Sequence, residues 1–107
     1  MKNKLFTGAL MVAVGGCFTG SSLAAGDATA GMWKAVTCLG CHGVPSYGNA
    51  YPMYKVPKLG GQHAQYLVSA LQAYRSGQRN HPTMQAQASN LSDEDIQDIA
   101  AYFESEK

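Results

Sequence analysis

The clearest periodic stretch lies at the end of the chain, where Ile96, Ile99, Ala100 and Phe103 recur three and four residues apart with polar positions between them. That spacing gathers four apolar side chains on one face of a helix. Ser92 followed by Asp93, Glu94 and Asp95 supplies a capping-box start, with acids at the positive end of the helix dipole. A second stripe, Tyr66, Leu67, Ala70, Leu71 and Tyr74, predicts a core-facing helix from Gln62 to Ser76, stopped by Gly77. Asp27 can cap a first helix through Ala28, Ala30, Met32, Lys34 and Ala35, with Trp33 read as a core packing residue. Gly31 costs that helix stability, which marks either a close helix crossing or a frayed start. The segment 43–61 holds Pro45, Pro52 and Pro57, several glycines, and Tyr47, Tyr51 and Tyr54, which is loop chemistry; the tyrosines pack either on a cofactor face or on ordinary surface. The run 78–91 has no convincing period and carries His81-Pro82-Thr83-Met84 in its middle. No apolar–polar alternation of the strand type occurs, so the expected fold class is all-α.

A different pattern opens the chain. Lys2 and Lys4 precede an apolar run from Leu5 to Val14, and small residues follow at Ser22, Leu23, Ala24 and Ala25, the layout of a secretory signal. Cleavage after Ala24 assigns 1–24 to the signal peptide and 25–107 to one small domain. The run is too short to span a bilayer, and the compartment it implies is the periplasm. Val14-Gly15-Gly16-Cys17 also resembles a lipobox, in which case Cys17 would carry a lipid anchor and 18–27 a flexible tether. A domain of this length buries only about 60–65% of its unfolded surface, a shortage that an apolar prosthetic group would relieve.

Charge excludes one class of partner. Two of the eight basic residues lie in the leader, so six remain against seven acids and nucleic acid is not an expected ligand. The bases Lys34, Lys55, Lys58, Arg75 and Arg79 precede every acid except Asp27, while Asp93, Glu94, Asp95, Asp98, Glu104 and Glu106 crowd the last helix and read as its solvated face. The resulting dipole could orient the molecule against a charged partner.

The chemistry is concentrated in Cys38-Leu39-Gly40-Cys41-His42. Two thiols three positions apart, followed by an imidazole, match the attachment site of a c-type haem, in which both vinyl groups become thioethers and the histidine binds iron. A C-x-x-C pair also serves as a zinc half-site or a dithiol redox pair. The first needs further ligands, for which only His63 or His81 at odd spacing is available, and the second needs a βαβ context that is absent. Haem use of Cys38 and Cys41 would leave no thiol for a structural disulfide. Met84 belongs to no apolar stripe, and Pro82 stiffens the segment presenting it, so its soft thioether is read as the sixth iron ligand. Met53, His81 and His63 are the other candidates for that position.

Taken together, these residues resemble a class I cytochrome c, in particular the short periplasmic monohaem members and single halves of the dihaem ones. The resemblance rests on Gly26-Asp27-Ala28 with Gly31, Cys38 to Gly43, Pro57-Lys58-Leu59-Gly60-Gly61-Gln62, Tyr66-Leu67, Arg75-Ser76-Gly77-Gln78-Arg79, Met84, and 91–103, in family order. It implies three main helices and loops wrapped around one covalent haem c. It also implies thioethers at Cys38 and Cys41, iron ligation by His42 and Met84, a Pro57 carbonyl accepting the other ring proton of His42, and Leu59 packed on the haem. Gly31 would lie where the first and last helices cross, with Tyr102 or Phe103 opposite and Trp33 beside it. The stretch Tyr51-Pro52-Met53-Tyr54-Lys55-Val56 looks like an insertion.

The function expected from this reading is one-electron transfer between redox protein partners, without catalysis, with Lys34, Lys55, Lys58 and Arg79 steering the encounter. The alternatives are a haem subunit of a dehydrogenase or oxidase, and a haem sensor or peroxidase if Met84 does not bind iron.

Overall fold

The computed structural model describes residues 25–50 and 53–106. The leader 1–24, Cys17 and Tyr51 lie outside the described residues. The described chain is mostly helical: α1 (Ala28–Lys34), α2 (Val36–His42), α3 (Ala64–Ser76), α4 (Pro82–Ala88) and α5 (Asp93–Ser105), with a small antiparallel pair, β1 (Gly48–Ala50) and β2 (Met53–Lys55). The all-α class holds, with five helices where three main ones are expected.

The caps act as the sequence predicts. Asp27 accepts from the Thr29 and Ala30 N–H groups at 2.8 and 3.2 Å, and Ser92 and Asp95 close a capping box on α5. Gly77 ends α3 at φ 81°, a left-handed conformation that glycine adopts without a Cβ clash. Two features depart from expectation. The hairpin rests on strands of three residues, Gly48 paired with Lys55 and Ala50 with Met53, too short to show a period in sequence. Helix α4 starts with Pro82 in its first turn, where no N–H is needed, and His81 caps it by accepting the Met84 N–H at Nδ1, 3.4 Å.

The core is Ala35, Leu67, Val68, Ile96, Ile99, Ala100 and Phe103, with Cys38, Leu39, Leu59, Leu71, Leu91 and Tyr102 packed against it. Helix α1 crosses α5 at Gly31: a Cβ there would meet the Asp98 carbonyl oxygen at 1.9 Å and Tyr102 Cβ at 2.9 Å. Because Gly31 and Ala35 share the face turned to α5, Trp33 faces the other way and is 72% exposed, correcting its reading as a core residue. Tyr66, placed in the α3 stripe by spacing, is likewise half exposed, and Val68 is buried instead.

Asp98 is not part of a solvated face. It is buried, and its carboxylate accepts the Asp27 N–H at 2.8 Å and Lys34 Nζ at 2.7 Å. Lys34 also pairs with Asp95 at 2.9 Å, so it joins α1 to α5 and is withdrawn from partner steering. The Lys34 ammonium is the first cause that lowers both acids, Asp95 to about 2. A carboxyl depressed in the folded state stabilises the protein above its unfolded pKa, and the contribution is lost as pH falls through the folded value. Acid unfolding should therefore steepen between about pH 4 and pH 2. Lys34→Met should flatten that limb in a pH series of urea unfolding curves; an unchanged profile would remove the ion triad as its source.

Candidate haem site

Helix α2 sets the spacing of the chemical groups. Cys38 and Cys41 stand three residues apart and His42 four from Cys38, so all three lie within one turn on neighbouring positions. Both thiols are free; Cys38 is half-buried against the core and Cys41 exposed. Burial pushes the Cys38 thiol up. Among the described residues no three His, Cys, Asp or Glu side chains converge on a potential metal ion, so nothing there completes a zinc half-site.

His42 is oriented by the loop after β2. Its Nδ1 lies 2.7 Å from the Pro57 carbonyl oxygen. A carbonyl only accepts, so Nδ1 is the donor and Nε2 is the ring nitrogen left available to a metal. That loop is held in turn by α5: the Gly61 N–H donates to the Phe103 carbonyl at 2.8 Å, and Glu104 accepts the Ala64 N–H at 2.9 Å. Glu104 thereby caps α3, a task that His63 at its N-cap position does not perform with its side chain. No local signal in sequence announces this cap, since its partners are 40 residues apart. Leu59 is part-buried and packs against the core. One flank of His42 opens on a cleft of about 140 Å³ lined by Leu39, His42, Gly43, Lys58, Gly60, Phe103 and Glu106.

Met84 is the third residue of α4, half-buried, and lies near His42. The alternatives for the sixth position are placed otherwise. Met53 is 87% exposed on β2, and His63 is exposed at the start of α3. His81 commits Nδ1 to the α4 cap and sits edge-on to Tyr54 and Tyr74, with ring centroids 4.8 and 6.5 Å apart. Tyr54 is thus engaged with the α4 segment, its hydroxyl 3.2 Å from Thr83 Oγ1.

These residues fit a covalently held haem. Two free thiols and an imidazole with its tautomer set for Nε2 ligation share one helix, and a thioether stands near. The chain's own core is also small, with Ile96 its largest fully buried side chain among the described residues. Of the cations, Arg75 pairs with Asp93 at 2.6 Å and Arg79 lies over the Tyr74 ring at 4.8 Å. Lys55 and Lys58 are exposed and, among the described residues, make no ion pair.

Comparison with known proteins gives the same result. The sequence profile of the cytochrome c family matches residues 27–107. The chain is 52% identical to cytochrome c-554(548) of Halomonas halodenitrificans over 86 residues, covering 78% of this chain and all of that protein. It is 44% identical over 105 residues to cytochrome c4 of Pseudomonas aeruginosa, covering 98% of this chain but 49% of that protein, so it spans about half the length of that relative. It is also 40% identical over 70 residues to a protein of Stutzerimonas stutzeri named thiosulfate dehydrogenase electron acceptor, covering 65% of this chain and 32% of that one. Among solved structures, cytochrome c4 of Acidithiobacillus ferrooxidans superposes with a TM-score of 0.60 at 27% identity, covering 79% of this chain and 52% of that one. The profile match, the relative matched over its whole length and the fitting site lead to one conclusion: the chain belongs to the cytochrome c family, whose members carry covalently attached haem c.

Proposed function

We propose that the mature domain, residues 25–107, is an exported one-electron carrier that shuttles between redox partners in the periplasm. Its 1–24 leader is removed after Ala24, or the chain is retained on a lipid at Cys17. Cys38 and Cys41 would hold the haem as thioethers, and His42 and Met84 would be the side chains that ligate its iron. The observation that supports this reading is the 2.7 Å bond from His42 Nδ1 to the Pro57 carbonyl, which leaves Nε2 as the ring nitrogen available to a metal. When bound, haem would supply reversible ferrous–ferric exchange, and a methionine ligand would favour the ferrous state. The chain's part is to hold two ligands fixed, so that no position is left open to substrate and little rearrangement accompanies the change of charge. Leu59, part-buried against the core, would pack on the haem, where an apolar contact penalises the added positive charge of the oxidised form.

The Stutzerimonas stutzeri relative named as an electron acceptor supports a carrier that receives electrons from an enzyme over one that is itself catalytic. Lys55, Lys58 and Arg79 remain as the steering cations after Lys34 is discounted, which suits a small, salt-sensitive encounter with an acidic partner. Electrochemical titration of the protein recovered from the periplasm should give a reversible one-electron curve. Lys55→Glu with Lys58→Glu should slow electron exchange with an acidic redox protein roughly 10-fold at low ionic strength and weaken its salt dependence. Unchanged salt dependence would remove these lysines from the docking face, and absence of a reversible one-electron wave would overturn the carrier function.

A further inference from the structure

We propose that the β1–β2 hairpin is a strap on the segment carrying Met84, and that Tyr54 is its positioning residue. The proposal rests on Met84 being the distal ligand and asks what holds that side chain in place. Helix α4 has seven residues, too short to be stable alone, and Met84 lies in its first turn. Its internal restraints are the Pro82 ring and the His81 cap, whose 3.4 Å bond to the Met84 N–H is long.

The hairpin supplies what the helix lacks. On β2 the exposures alternate, Met53 and Lys55 outward and Tyr54 inward, so the strand turns one aromatic side chain toward α4. That side chain makes two contacts on consecutive sides of the capping turn. Its hydroxyl lies 3.2 Å from Thr83 Oγ1, the residue before Met84, and its ring stands edge-on to His81 at 4.8 Å, the residue that caps Met84. Tyr74 of α3 closes on His81 from another side at 6.5 Å, so the His81 ring is held between a strand and a helix. The strap is fastened at its base: beyond the ladder, the Val56 N–H donates to the Tyr47 carbonyl at 2.9 Å, and the next residue, Pro57, carries the carbonyl that orients His42. One short stretch, 54–57, therefore touches both the His42 side and the Met84 side of the site. Tyr54 acts through its neighbours Thr83 and His81.

The test measures how fast imidazole displaces the thioether from the ferric holoprotein, read at the methionine-to-iron charge-transfer band. Tyr54→Phe should accelerate displacement roughly 5-fold, the equivalent of one net hydrogen bond, and Tyr54→Ala, which also loses the ring contact, roughly 10- to 30-fold. Thr83→Val should match Tyr54→Phe, and the double variant Tyr54→Phe/Thr83→Val should be no faster than either single one. Amide exchange at the Met84 N–H should quicken in parallel, while the thermal midpoint of Tyr54→Phe falls by no more than the roughly 4–8 °C that one such bond accounts for in a small domain and Met53→Leu on the same strand changes nothing. Displacement rates equal to wild type in both Tyr54 variants would overturn the strap while leaving Met84 ligation intact, provided Met84→Ala abolishes the band. A band that survives Met84→Ala would overturn the ligation and the strap together. A midpoint that falls well beyond that shift would assign the effect to a global loss of packing and also overturn the strap.

Discussion

Gly31→Val should be among the most destabilising single substitutions in the described chain. In an exposed helix, replacing glycine by a residue with a side chain gains up to about 1 kcal/mol. Here the sign reverses. The first atom added at position 31 would sit 1.9 Å from the Asp98 carbonyl oxygen and 2.5 Å from its carbon, both backbone atoms of α5 that cannot swing aside. Relief requires α1 and α5 to separate, and that movement also pulls Asp27 and Lys34 away from the Asp98 carboxylate. Overpacking costs about 1–3 kcal/mol and more where backbone must move, against a total stability on the order of 5–15 kcal/mol. Urea unfolding of Gly31→Val should therefore show a large fall in midpoint. Gly40→Ala provides the contrast: it also lies within a helix, and no chain atom lies within 4 Å of its added Cβ, so it should be neutral or gain about 0.5–1 kcal/mol. Equal shifts in the two variants would contradict the crossing.

Met84→Ala should change the chemistry rather than the fold. Met84 is half-buried on a short helix outside the core cluster, so its loss should cost modest stability. If its thioether fills the sixth position, the ferric charge-transfer band disappears and the reduction potential falls, because the soft ligand that favours the ferrous state is gone. Carbon monoxide, which needs an open position, should then bind the reduced variant readily. Met53→Ala should do none of this, since Met53 is 87% exposed on the outer face of β2. A variant at Met84 with an unchanged spectrum would pass the ligand role to another residue.

What could be read from sequence followed the range of the interactions involved. The Ser92 box, the stripe of α5, the Asp27 cap and the Gly77 stop are each written within a few residues, and all appear as predicted. The haem motif is equally local. Trp33 lies outside the core because its surroundings depend on which face of α1 meets α5, and that is settled by the missing side chain at Gly31 rather than by anything near Trp33. Asp98 looked like one more acid on a polar face; only its contact with a backbone N–H 71 residues earlier and with Lys34 makes burial tolerable. Helix α4 did carry a signal, a cap-competent residue followed by proline, but a helix of about two turns is too short to show a period. The hairpin left none, because three-residue strands cannot show alternation and its purpose is defined by Thr83 and His81, which lie far along the chain.

The central claim, that this chain fills both axial positions of its haem, is tested most directly by mixing carbon monoxide with the reduced wild-type protein in a stopped-flow spectrometer. The account predicts no adduct, or one limited by slow thioether release, under conditions that saturate Met84→Ala. Rapid adduct formation by the wild type, at a rate matching the variant, would contradict it and point to an open, ligand-binding haem.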